Sequence, residues 1–104
     1  MIPATVRIFV CPEPQDMRRS FDGLALAAPE HLGEDPQGGA VFVFCNKRRD
    51  RLKALWFDAN GYCILYKRLH RAHFAMPDRR TIEPRALAML LRGVDSAPRR
   101  SLRR

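Results

Sequence analysis

A chain of 104 residues has room for one domain with a modest core and no second. Its 46% hydrophobic and 29% charged content excludes a disordered chain, while 19 Lys+Arg against 11 Asp+Glu give a net charge of +8. The surplus is mostly arginine and unevenly placed: residues 1–45 carry −3, 46–80 carry +7 and 81–104 carry +4, so a polyanion-binding surface is expected in the middle and the tail.

In chain order, residues 5–10 predict a strand, with β-branched residues ahead of the Pro12 and Pro14 breakers. Asp16 is placed to cap a helix, and Phe21, Leu24, Ala25, Ala28 and Leu32 follow at helical spacing. Pro29 removes a backbone donor and crowds the preceding turn, so this helix kinks there or ends near Ala28. Gly33, Pro36, Gly38 and Gly39 mark a loop. Residues 40–45 form a short buried strand, and 46–50 a polar, basic connection. Two strands, 51–58 and 62–69, flank Asn60-Gly61, a dipeptide suited to a tight type I′ turn. A short strand is expected at 73–76. A helix follows at 84–92, with Pro84 at its start, Gly93 past its end and Leu87, Leu90, Leu91 and Val94 on one face. Residues 96–104 read as a basic, disordered tail, leaving 1–95 as the domain. The class is α+β: a small antiparallel β-meander with two helices covering one face.

Cys11, Cys45 and Cys63 are odd in number and form no CxxC pair, which fits a reducing compartment; Cys45 and Cys63 read as small core residues. The opening MIPATVRIFVC lacks the charge pattern of a signal peptide, and no apolar run is long enough to span a bilayer. A soluble cytoplasmic protein is expected.

With Asn60-Gly61 as the turn, Trp56 pairs with Leu65, Lys53 with Arg68 and Arg51 with His70. Ala54, Trp56, Cys63 and Leu65 then form the core face, and the other face carries Arg51, Lys53, Tyr66 and Arg68. Like charges directly opposed destabilise a sheet unless an anion lies across them. Adding the loop residues Lys47, Arg48 and Arg49, and Arg71 beyond the second strand, gives a surface of cations with an interleaved ring, suited to a nucleic-acid backbone. Neither a helix-turn-helix nor a zinc finger accompanies it.

Catalytic chemistry is poorly supported. Asp22, Asp50 and Asp58 are the acids a nuclease would use, but Asp50 reads as a partner of neighbouring arginines and Asp58 as a strand end. His70 and His73 lack further ligands at metal spacing, and no phosphate loop or nucleophile elbow is present. No catalytic residue and no metal site is assigned.

Residues 16–24, DMRRSFDGL, resemble the D-M-R-x-x-F-D-G-L signature of the TnpB accessory family of insertion sequence 66 type transposons. Residues 41–77 are similar to that family's central block, and 86–95 to its closing helix, in the same order. Cys45, His70, Ala72-His73 and Pro29 depart from the pattern. The resemblance implies a non-catalytic role in transposition, with catalysis in a separate transposase, no cofactor and no membrane or small-molecule substrate. It is not a resemblance to the RNA-guided nuclease that shares the name. Expected partners are DNA at the transposon ends, the transposase and other element-encoded proteins; the alternative is an adaptor that docks on the transposase. Within the signature, Arg18 and Asp22 read as an i, i+4 ion pair, with contact to a partner as the alternative.

Overall fold

The computed structural model describes residues 5–95. The expected tail, 96–104, lies outside the described residues. Strand β1 (Ile8–Val10) leads through helix α1 (Phe21–Ala27) to β2 (Val41–Cys45), which lies parallel to it in register Ile8 to Val41. Antiparallel strands β3 (Arg51–Asp58) and β4 (Gly61–Arg68) then extend the sheet outward as the expected meander. A short return, β5 (Ala72–His73), precedes β6 (Thr81–Ile82), which pairs antiparallel with β1 on the far edge. Helix α2 (Pro84–Arg92) and β7 (Val94–Asp95) close the described chain, and β7 pairs with β5 in a separate two-stranded ribbon. Among the described residues the main sheet runs β4-β3-β2-β1-β6, giving an α+β architecture in which β1 and β2 pair in parallel.

The helices pack on opposite faces of the sheet, whereas the sequence predicts that they share one. On one side Leu24 and Ala27 of α1 meet Phe9, Phe42, Phe44 and Leu55. Phe9 and Phe42 stack there with centroids 5.7 Å apart. On the other side Leu87 and Leu90 of α2 meet Ile8, Val10, Val43, Leu52, Ala54 and Phe74. Covering both faces explains why β2 reads as an unbroken apolar run: all five of its residues are buried. Each buried Leu or Phe contributes roughly 1.5–3 kcal/mol by leaving water.

Pro29 acts as its chemistry requires, but the chain coils on. α1 ends at Ala27 and a wider π-helical turn, Ala28–Leu32, takes over, because Pro29 has no N–H to donate and its ring crowds the turn before it. Gly33, left-handed at φ 67°, closes this turn by donating its N–H to Pro29 O at 3.1 Å.

The hairpin turn sits one residue earlier than expected. Ala59 (φ 46°) and Asn60 (φ 74°) occupy the two left-handed positions of the turn, and Gly61 begins β4. Each residue of β3 therefore faces a residue two places nearer the turn: Trp56 meets Cys63, Lys53 meets Tyr66 and Arg51 meets Arg68. The shift places Phe57 against Tyr62, edge to face at 5.1 Å, and separates Lys53 from Arg68. Cross-strand pairs of this kind contribute about 0.2–1 kcal/mol each, enough together to offset an alanine in left-handed backbone. A shift of two keeps each side chain on its expected face.

No helix among the described residues is long and apolar enough to cross a membrane.

Candidate nucleic-acid interface

The connection from β2 to β3 is built around Asn46. Its Oδ1 accepts from the N–H groups of Asp50 (3.1 Å) and Arg51 (3.0 Å), and its Nδ2 donates to Asp50 Oδ1 at 2.7 Å. Arg49 takes the left-handed conformation that lets the chain reverse, φ 62°, with its N–H on Asn46 O. Lys47, Arg48 and Arg49 are left exposed on a loop whose backbone is already ordered. Asp50 serves that order: its carboxyl lies below the usual range chiefly because Asn46 hydrogen-bonds it, while the expected arginine neighbours Arg48 and Arg51 add smaller pulls in the same direction.

The opposite wall is the turn carrying the DMR motif. Gln15 N–H donates to Cys45 O at 2.9 Å and ties this turn to the end of β2. Asp16 accepts the Arg18 N–H at 2.9 Å, and the Arg18 guanidinium grips the same carboxylate, with Nη2 2.7 Å from Oδ2. These hydrogen bonds hold the Asp16 carboxyl down at about 2. Arg18 thus pairs with Asp16, not with Asp22, and Asp16 shapes a turn ahead of α1 instead of capping it. The helix cap position is Ser20, without a side-chain cap bond.

Between the two walls runs an open groove of about 620 Å³, lined by Asp16 and Arg18 on one side and Lys47, Arg48, Asp50 and Arg51 on the other. Four cations and two carboxylates meet there. Both carboxylates are engaged with neighbours, while Lys47 and Arg48 stand out in solvent.

The eight residues expected to bind divide unevenly. Lys47, Arg48 and Arg51 line the groove, and exposed Arg68, directly opposite Arg51, extends its cationic surface along the sheet. Arg49 borders a separate small cavity with Cys45 and Met76. Arg71, exposed and left-handed at φ 66°, lies on the return after β4, which is fastened to the loop by Leu69 N–H on Asp50 O and Phe74 N–H on Arg49 O. Lys53 does not belong to the surface. It is only 8% exposed, because α1 covers this face of β3; its Nζ donates to Arg19 O at 2.7 Å and lies 4.7 Å above the Tyr66 ring. Tyr66 is half exposed, with one ring face given to that lysine. Arg18 also lines the groove, a cation outside the surface expected from the sequence. Its signal was the DMR motif, separated from the basic loop by 28 positions and joined to it only in three dimensions.

Asp50 stands just before β3 and Asp58 at its far end, and the strand between them spans about 23 Å at a rise of roughly 3.3 Å per residue, so they cannot share a metal. Cys45 is buried and its thiol pushed up to about 11 by that burial, in keeping with a core residue. Donors of metal-binding type do gather elsewhere, at Cys11, Glu13 and His31.

Known proteins resemble this chain along nearly its whole length. The family model described as IS66 Orf2 like protein matches residues 6–101. An uncharacterized protein, y4hO, of Sinorhizobium fredii (strain NBRC 101917 / NGR234) is 37% identical over 101 residues, covering 91% of this chain and 88% of that protein. A second from the same strain, y4jC, is 33% identical over 94 residues, covering 86% and 80%. No solved structure matches the chain.

Proposed function

The chain belongs to the IS66 Orf2-like family, an accessory and non-transposase family associated with transposition, and from that premise we propose that it binds element DNA through the groove between the DMR turn and the basic loop. The observation that carries this reading is the meeting of Arg18 with Lys47, Arg48 and Arg51 across one groove, continued by Arg68 along the sheet. Arginine forks on ordered backbone suit phosphate oxygens bidentately. The open shape suits a strand that passes through. The protein contributes no catalytic residue of its own; the chemistry falls to the transposase.

The test is fluorescence anisotropy on a duplex carrying an element end, repeated over a range of salt. Affinity falls with salt, and changing Arg18, Arg48 and Arg51 together to Ala lowers the slope of log K against log salt by about three. A slope that the triple variant leaves unchanged overturns the reading.

A second reading is favoured by Asp16 and Asp50, which bring negative charge into the same groove. A mixed surface suits a protein partner, and the transposase is the partner in question. Complex formation with purified transposase that survives nuclease treatment supports this adaptor role.

A further inference from the structure

Behind the groove wall, three side chains of different chemistry converge. Cys11 directly follows β1, Glu13 stands between Pro12 and Pro14, and His31 comes from the π-helical turn. One donor atom from each, a sulfur, a carboxylate oxygen and an imidazole nitrogen, lies within 4.8 Å of both others. Cys11 is buried, His31 half-buried and Glu13 exposed, so the cluster runs from the core out to solvent. We propose that Cys11, Glu13 and His31 form a binding site for one divalent cation of the zinc class.

The donor set selects that class. Thiolate and imidazole together suit Zn²⁺ better than Mg²⁺ or Ca²⁺, which prefer all-oxygen shells, and a carboxylate is an accepted third ligand. Bonds of about 2.0–2.3 Å in a tetrahedral shell put ligand atoms roughly 3.2–3.7 Å apart. His31 Nδ1 and Glu13 Oε1 already stand 3.1 Å apart. An ion pair alone accounts for that contact; Cys11 Sγ stands beside it as the third donor, its thiol donating to Glu13 O at 3.4 Å. Gln15, 8% exposed, directs its Nε2 to Cys11 Sγ at 3.8 Å and to Glu13 O at 3.5 Å. A buried amide donating to sulfur is the kind of outer-shell support a thiolate ligand requires.

The ligands also come from ordered backbone. Cys11 N–H donates to Val43 O and Gln15 N–H to Cys45 O, both at 2.9 Å, which clamps the 11–15 turn to β2. His31 lies just ahead of the turn closed by Gly33. The exposed side chain of Glu13 gives the ion a way in. On binding, the Cys11 thiol loses its proton to solvent and His31 coordinates as neutral imidazole. Because Pro14 and Gln15 continue from this cluster into the groove wall, the ion would brace that wall against α1 and its π-helical extension. The site does not depend on what the groove binds.

The test uses the reduced full-length chain, stripped of metal by chelator and titrated with Co²⁺ alone. A thiolate-to-cobalt charge-transfer band appears in the near ultraviolet and saturates at one equivalent, Zn²⁺ abolishes it, and one equivalent of Zn²⁺ raises Tm by several degrees. Cys11→Ser and His31→Ala each remove both the band and the Tm shift, whereas Cys63→Ser and His70→Ala retain them. If Cys11→Ser does not fold, His31→Ala, at a half-buried position, carries the test. Absence of the band in the unaltered chain, or its persistence in His31→Ala, overturns the proposal.

Discussion

Lys53 and Tyr66 face each other across the β3–β4 ladder, with the ammonium 4.7 Å above the ring and hydrogen-bonded to Arg19 O. That cation is spent inside the protein, joining the turn before α1 to the sheet that α1 covers. It is a structural charge beside a surface on which Lys47 and Arg48 stand out in solvent.

Lys53→Ala is therefore expected to cost about 2 kcal/mol of stability, from the lost cation–π contact, hydrogen bond and packed stem. Urea denaturation measures the loss. The salt slope of DNA binding stays as it was, while Arg51→Ala lowers the slope by about one. Equal slope changes in the two variants would return Lys53 to the binding surface.

Asn46→Ala removes the acceptor shared by the Asp50 and Arg51 N–H groups and the donor to Asp50. A stability loss of about 2–3 kcal/mol is expected, together with faster amide exchange at Asp50 and Arg51. In the same variant the Asp50 carboxyl titrates at higher pH, since Asn46 is the main cause of its depression. Carbon-detected NMR titration measures the change. An unmoved Asp50 would show that the loop holds itself without Asn46.

Asp16 should titrate at about 2, below its ordinary value of 3.8, and Arg18→Ala should return it toward that value. A depressed carboxyl favours the folded state above its unfolded pKa, and this contribution disappears as pH falls through the folded one. The difference in acid stability between the native chain and Arg18→Ala is thus constant above about pH 5 and closes progressively as pH falls from there through about 2. A gap undiminished at pH 2 would place the stabilising action of Arg18 elsewhere.

Two glycine substitutions should separate sharply. Gly93 has φ 76°, and an added Cβ would meet Leu69 Cδ1 at 2.6 Å, so Gly93→Ala is expected to cost about 1–3 kcal/mol. Gly61 begins β4 outside the left-handed region, and an added Cβ there meets nothing nearer than Asp58 O at 4.0 Å. Gly61→Ala should then stay within about 0.5 kcal/mol. A large loss at Gly61 would restore the Asn60-Gly61 turn and the hairpin register that goes with it.

Local punctuation made the longer elements legible. β3 ends at Asp58 and α2 spans Pro84–Arg92, as the sequence predicted, because Pro84, Gly93 and the periodic leucines act on their own neighbourhood. β6 and β7, two residues each, are too short to show any period, and they exist only because β1 and β5 offer them backbone partners. Pro29 announced the end of α1 but not the π-helical turn beyond it, which depends on how Leu32 seats in the core.

By itself the sequence determined the basic loop at 47–49, the hairpin and which side of each strand its residues occupy, since side-chain alternation has a period of two and survives a shift of two. Tertiary structure decided what those sides meet. Long-range pairing of β1 with β2 placed α1 over the face that carries Lys53, and burial there turned a surface cation into a packed one. The same pairing brought the DMR turn to the end of β2, setting Arg18 across from Lys47, Arg48 and Arg51. No local rule of spacing reaches across the 28 positions between Arg18 and Asn46, because what closes that distance is the burial of a shared core.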